Sequence, residues 1–388
     1  MKNFLRLTAL AICAIFMTAN ASAQDNYDAT TMGEIVRYYE TAKWGQQSPF
    51  NNQIYTEAGG STHGAAGCVP TAYAIIMRYW GFPTEGTSSD LQNCQTGESI
   101  TDRTYDWSKM PLTNGNGWTE EQKNEVSKLF AHVLHAVVPA NIGQSYTDAN
   151  EGGSTAYLET HFGYTNISSS QQWQHTKDAW EAKMKESLDN GCPIPYASKN
   201  TGTGDARHMF VIDGYTTEGY YHINFGWNGY ANGWHKLDEI KPADSDGNLT
   251  GDNYSWVGDA TSTSAHKAFF NLAPKTEKFT VTATAIPSNM GTVSINGGTA
   301  GTTASAEINE NFTATLTAHP AQGYALANWT KNGMVVGTKN TLKVKVGASD
   351  NDYVANFDDE ANVLVEKDCT FTISDVEKSD VNGAYCST

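Results

Sequence analysis

Positive charge is scarce in this sequence. Its 25 Lys and Arg stand against 42 Asp and Glu in 388 residues, a net charge of −17. No basic run reverses that balance locally, so the surface repels nucleic acid and anionic lipid. Cysteine is scarce too. There are six, none in C-x-x-C spacing, which argues against a zinc site, and no cofactor is expected. After the first two dozen residues no apolar run is long enough to span a bilayer.

The one conspicuous apolar run opens the chain: "MKNFLRLTALAICAIFMTANASAQ". Lys2 and Arg6 precede a short apolar stretch, and "ASA" before Gln24 is a small-residue cleavage site. Residues 1–23 therefore read as a cleaved secretory signal, and the protein as secreted, periplasmic or held at the cell surface. Removal of Cys13 leaves Cys68, Cys94, Cys192, Cys369 and Cys386. An odd number in an exported chain implies at least one free thiol. Cys369 and Cys386 are spaced to close a local loop, Cys94 with Cys192 is a second candidate pair, and Cys68 is the odd one out.

The length predicts two domains. Residues 24–43 contain "EIVRYYETAKW", which predicts a short amphipathic helix. Further helices are predicted over 69–80, 119–137 and 175–190, the second opening on Thr119-Glu120-Glu121. The loop "GQSYTDANEGGSTA" is long enough to be functional. From residue 207, "RHMFVIDGY" and "YYHINFGW" alternate around a turn at "TTEG", which predicts a hairpin; "GWHKLDEI" follows as a third strand. Residues 24–272 then form a mixed α+β domain. Residues 275–358 carry Thr/Val-rich strands between Gly and Asn turns, an all-β module. The tail, 359–388, holds two strand-like runs, "NVLVEK" and "CTFTISDV", and no role is assigned to it.

The chemistry centres on "GAAGCVPTAYAIIMRYWGFP", residues 64–83. Pro70 suits a first helical turn, and Ala72, Ile75, Ile76 and Tyr79 form an apolar stripe. Cys68 thus stands at a helix N-terminus, where the partial positive charge stabilises a thiolate. A nucleophilic Cys needs a His as proton acceptor and a third group to orient it. His208 opens the first hairpin strand. A turn centred between Thr216 and Thr217 sets it beside Asn224–Phe225, so Asn224 is favoured as the orienting group. Asp213 is the competitor, but strand alternation points it to the other face. His222, in mid-strand, is the competing base and reads better as structural. Acyl transfer also needs an oxyanion donor. The Cys68 N–H is one candidate, and "WGQQSPFNN" offers Gln46 and Gln47 as the second.

These three blocks resemble the streptopain-like cysteine peptidases. "GCVPTAYAIIMRYWGFP" resembles that family's nucleophile helix. "RHMFVIDGY", "YYHINFGWNG" and "GWHKLDEI" resemble its His, Asn and closing segments. "GQQSPFN" resembles its oxyanion segment, which selects Gln46 over Gln47. The resemblance covers residues 34–272 and implies a papain-like fold and endopeptidase activity on protein or peptide substrates, with a hydrophobic residue two positions before the scissile bond. It further implies Cys68 as nucleophile, His208 as general base and then acid, Asn224 as its orienting group, and Gln46 as oxyanion donor. Trp227 matches an aromatic beside the His–Asn pair. Phe225 replaces a family Trp, and Met209 replaces a small residue, which implies a narrower pocket there. Some twenty residues between the signal and Trp44 leave no room for the family's long prodomain. Restraint by the short N-terminal segment, the C-terminal region or a separate protein inhibitor is expected instead.

"GTVSINGG", "ATLTAHPAQGYALANWTKNG" and "YVANF" resemble the divergent internalin-type B-repeat, which implies a small sheet domain of adhesive or spacer role, with Tyr324 and Trp329 in its core. Two other functions compete with the peptidase. One is a binding protein or adhesin on an inactive papain-like scaffold. The other is a leader-type or transglutaminase-like papain-fold enzyme, which Asp213 rather than Asn224 bonded to His208 would favour.

Overall fold

The computed structural model describes residues 27–149, 155–165, 168–199, 207–238, 240, 266–310 and 312–363. The segment read as a signal, both strand-like runs of the tail in the main, Cys369 and Cys386 lie outside them. The chain divides into two compact units, with the break between Lys275 and Thr276.

In the first unit, α1 (Ala29–Met32) leads into β1 (Ile35–Tyr38). The helix expected over "EIVRYYETAKW" does not form. Ile35 and Val36 favour extended backbone, and the segment pairs antiparallel with a later strand, Ile35 opposite Thr216 and Tyr38 opposite Gly214.

Helix α2 (Cys68–Trp80) buries every residue from Val69 to Met77. A helix apolar on all sides belongs in a core, so the four-residue stripe understated it. Tyr79 is only half-buried, and its hydroxyl donates to Gly191 O at 3.1 Å. Helix α3 (Glu120–Val137) starts on a closed capping box. Thr119 Oγ1 accepts from Gln122 N, and Gln122 Oε1 accepts from Thr119 N. The short pair β2 (Asn141–Ile142) and β3 (Thr147–Asp148) follows, then α4 (Thr155–Phe162), which the sequence did not suggest. After β4 (Tyr164–Thr165) and β5 (Ser168–Gln171) comes α5 (Lys177–Asp189).

The remaining strands are β6 (Ile194–Lys199), β7 (Arg207–Thr216), β8 (Tyr221–Asn224), β9 (Gly233–His235) and β10 (His266–Phe270). They form a sheet in the order β5-β10-β6-β7-β8-β9, with β1 also on β7. Alternation sorts the side chains onto two faces. Ala197, Met209, Val211 and Phe269 share one core with α2 and α3. Tyr196, Phe210, Ile212 and Phe270 share the other with Trp180, Met184 and Leu188 of α5. The predicted hairpin and third strand are therefore β7, β8 and β9. Strand β11 (Ala273–Pro274) closes the unit against β4.

The second unit is all β. Its strands are β12 (Lys278–Ile286), β13 (Gly291–Ile295), β14 (Thr303–Asn309), β15 (Thr313–Pro320), β16 (Tyr324–Lys331), β17 (Met334–Gly337), β18 (Thr341–Lys345) and β19 (Asp352–Asp359). One sheet runs β14-β12-β19-β16-β17 and the other β13-β15-β18, with β12 and β19 parallel. Trp329 is fully buried in the core, and its Nε1 donates to Lys339 O at 3.1 Å. Tyr324 is half-buried.

Candidate active site

The loop before α2 is built so that the helix can start at Cys68. Gly67 has φ +84°, and a Cβ on it would come within 2.9 Å of Thr147 Cβ. Both conditions call for glycine. Thr71 fastens the first turn, donating from its backbone N (3.2 Å) and its hydroxyl (2.7 Å) to Gly67 O. Cys68 is the first helical residue, half-exposed, and carries a thiol. First-turn N–H groups have no partner within their own helix, and the dipole favours negative charge there.

His208 lies on β7, the strand against which α2 packs. Its Nε2 is 2.8 Å from the backbone oxygen of Phe225. A carbonyl only accepts, so Nε2 carries the hydrogen and Nδ1 is left as the basic nitrogen. Burial lowers His208 from its usual 6.5 to about 4, and the Phe225 carbonyl works weakly in the other direction. The ring is stacked under Trp227, with centroids 4.8 Å apart and planes at 26°. Phe225 continues the stack, 5.2 Å from Trp227.

Asn224 is not where the symmetric turn put it. The turn is longer, closed by Thr216 N donating to Tyr220 O, and β7 bulges between Ile212 and Gly214. Val211 therefore faces Asn224, and His208 lies beyond the end of β8. The Asn224 amide reaches Thr41 Oγ1 and Ala42 O, both at 2.9 Å, and its Oδ1 accepts from Gly226 N at 3.1 Å. None of its bonds goes to His208. Asn224 instead pins the Phe225–Gly226 peptide, whose carbonyl holds the imidazole. Asn232 pins the same residue from the other side, its Oδ1 accepting from Phe225 N at 3.0 Å. Asp213 is not bonded to His208 either. It takes His222 Nδ1 and the Thr41 hydroxyl, each at 2.5 Å. His222 is thus a structural histidine, as expected of its mid-strand place.

Gln46 and Gln47 separate cleanly. Gln46 O accepts from Ala66 N at 2.9 Å, which fixes Gln46 beside the loop that delivers Cys68. Its side-chain amide takes no hydrogen-bond partner among the described residues. Gln47 is committed elsewhere, its amide donating to Gln144 O at 3.1 Å and its Oε1 lying 3.4 Å from Asn51 Nδ2. Met209 is buried in the core shared with α2.

A thiol–imidazole contact elsewhere in the first unit shows what a structural pair looks like. Cys94 Sγ is 3.2 Å from His135 Nδ1, and the Cys94 backbone N points at the same nitrogen at 3.4 Å. Two donors converge on Nδ1, so the imidazole accepts and the thiol stays protonated. Burial raises Cys94 and lowers His135 to about 4, which keeps both neutral. Cys192 is a buried thiol, so the Cys94–Cys192 disulfide that the spacing allowed is not formed. Thr41, Asn232 and the Phe225 carbonyl were not anticipated. The last is a backbone group, to which residue identity gives no clue.

Residues 44–235 match the Peptidase C10 family, and residues 291–361 the divergent InlB B-repeat domain. Streptopain of Streptococcus pyogenes serotype M1 is 29% identical over 193 residues, which are 47% of this chain and 48% of that protein. The thiol protease/hemagglutinin PrtT of Porphyromonas gingivalis is 28% identical over 210 residues, 51% of this chain and 23% of that protein. The chain thus spans about half the length of streptopain, or less of PrtT. The solved structure of the active Prevotella intermedia interpain A cysteine protease superposes with a TM-score of 0.51 at 28% identity, covering 63% of this chain and 97% of that one. The first unit has the fold of papain-like cysteine proteases. Through residues 44–235 the chain belongs to the Peptidase C10 family, the streptopain-like cysteine peptidases, and a divergent InlB B-repeat domain follows at its C-terminal side.

Proposed function

We propose that this chain is an exported cysteine endopeptidase that hydrolyses peptide bonds through an acyl-enzyme on Cys68. The observation that carries the reading is the His208 ring. Its Nε2–H is held by a backbone carbonyl, its Nδ1 is left basic, and its strand packs on the helix that begins at Cys68. Nδ1 takes the thiol proton, and the thiolate attacks the substrate carbonyl. The Gln46 amide and the Cys68 N–H donate to the oxygen that becomes negative. The imidazolium then protonates the leaving amine, and neutral His208 draws a proton from the water that releases the acyl group. Trp227 covers the ring and excludes competing water. Asn224 acts at one remove, by fixing the peptide that orients His208. The N-terminal leader supports export, and the surplus of acidic groups supports protein rather than nucleic-acid substrates.

The test is cleavage of casein and of a peptide library by the purified chain, with Cys68→Ala and the epoxide inhibitor E-64 as controls. Cleavage that both controls abolish, with E-64 found by mass spectrometry on Cys68, is the expected result. An unmodified Cys68 and no cleavage would point to an inactive scaffold that binds.

A further inference from the structure

Behind the candidate site lies a buried polar chain whose far members, Thr41, Asp213 and His222, the peptidase chemistry above does not use. His222 Nδ1 donates to Asp213 Oδ1 at 2.5 Å. Asp213 Oδ2 accepts from the Thr41 hydroxyl at 2.5 Å. Thr41 Oγ1 accepts in turn from Asn224 Nδ2 at 2.9 Å. Asn224 Oδ1 accepts from Gly226 N, and the carbonyl of that same peptide receives His208 Nε2. Thr41, Asp213, His222 and Asn224 are 4%, 1%, 4% and 1% exposed.

Donor and acceptor chemistry fixes the direction of every link. Ala42 O is a carbonyl, so the Asn224 atom that faces it is the amide nitrogen. The same nitrogen therefore donates to Thr41, and the Thr41 proton must go to Asp213. Asp213 can receive it because a carboxylate accepts on both oxygens. Reversing any one link leaves two buried donors or two buried acceptors facing each other, which is costly in a dry interior. Aromatic edges close the far end: Tyr38 and Trp234 contact the His222 ring at 4.9 and 5.2 Å, both edge-on.

We infer that Thr41, Asp213 and His222 are positioning residues for His208. The Asp213–His222 pair sets the direction of the Thr41 hydroxyl, which sets the Asn224 amide. Asn224 holds the Phe225–Gly226 peptide with its carbonyl toward the imidazole. This keeps the hydrogen on Nε2 and makes Nδ1 the basic nitrogen of the ring. The inference rests on the peptidase reading for its catalytic consequence, but not for its geometry.

Thr41→Val removes the hydroxyl at constant volume, and Thr41→Ser keeps it. In Thr41→Val we expect kcat to fall about tenfold to a hundredfold, the loss typical of a small misplacement, with KM within about twofold. Thr41→Ser should recover most of that loss. Nitrogen-15 NMR of the histidine rings reads the geometry directly. The His208 Nε2 proton should exchange slowly in the wild type and in Thr41→Ser, and rapidly in Thr41→Val. If Thr41→Val does not fold, Asp213→Asn, which takes away one acceptor at nearly equal volume, should show the same kcat loss and the same fast exchange. An unchanged Nε2 proton, or a Thr41→Ser variant as impaired as Thr41→Val, overturns the inference. Wild-type protein that cleaves nothing, yet loses its slow Nε2 proton on Thr41→Val, would leave the positioning chain standing and remove the peptidase reading.

Discussion

Gly226 and Thr71 are in contact across the candidate site: a Cβ on Gly226 would come within 2.9 Å of Thr71 Cγ2. Gly226 belongs to the peptide that holds His208, and Thr71 to the first turn of the helix that begins at Cys68. The two halves of the proposed dyad are therefore gauged against each other at one glycine, which also has φ +70°.

Gly226→Ala should cost about 1–3 kcal/mol of stability, from positive φ and the collision together. It should also lower kcat by pushing the Phe225 carbonyl off His208. Thr71→Ser removes the methyl group that collides and keeps the hydroxyl bond to Gly67 O. The double variant should regain part of both losses, measured by thermal unfolding and peptide turnover. Equal defects in the single and double variants would assign the whole effect to backbone strain.

The two adjacent glutamines should behave differently. Gln46→Ala should lower kcat about a hundredfold or more, the loss expected when an oxyanion donor is removed, with KM little changed. Gln47→Ala breaks an exposed bond to Gln144 O and should leave kcat within about threefold. Equal loss in both would remove Gln46 from the proposed chemistry.

Acid should destabilise the first unit. Burial lowers His132, His135, His235 and His266 to about 4 each. Unfolded, each returns to about 6.5, so between pH 6.5 and about 4 the unfolded chain binds more protons. Their contribution is full above pH 6.5 and is lost as pH falls toward 4. The full shift is worth on the order of 3 kcal/mol per imidazole. The first unit's transition in calorimetry should fall by about 10 °C or more between pH 7.5 and 4.5. All four lie before Thr276, so they leave the second unit's transition unmoved. A first-unit transition flat with pH would contradict this.

Much of this was legible in the chain, and for identifiable reasons. Ile75 and Ile76 mark α2 by their period, and the alternation of "RHMFVIDGY" marks β7. Cys68 and His208 could be placed because they sit at the ends of those regular elements. The choice of Gln46 over Gln47 came from family resemblance, since two neighbouring amides look alike until the fold commits one of them. The register of β7 on β8 was not legible. A longer turn, centred later in the chain, moved Asn224 away from His208 and onto Thr41, and the one bulged residue at Asp213 offset only part of that shift. Strand β1 was misread because its apolar residues suit a helix as well as an edge strand. The group that orients His208 was invisible, because it is a carbonyl.

The most direct test of the account is the pH dependence of Cys68 alkylation by iodoacetamide, followed by mass spectrometry in the wild type and in His208→Ala. If Cys68 and His208 act as a pair, wild-type Cys68 reacts as a thiolate well below the ordinary thiol range. In His208→Ala its profile should then return to a midpoint of about 8.5. An ordinary thiol profile in both proteins would contradict the claim that these two residues form the catalytic pair.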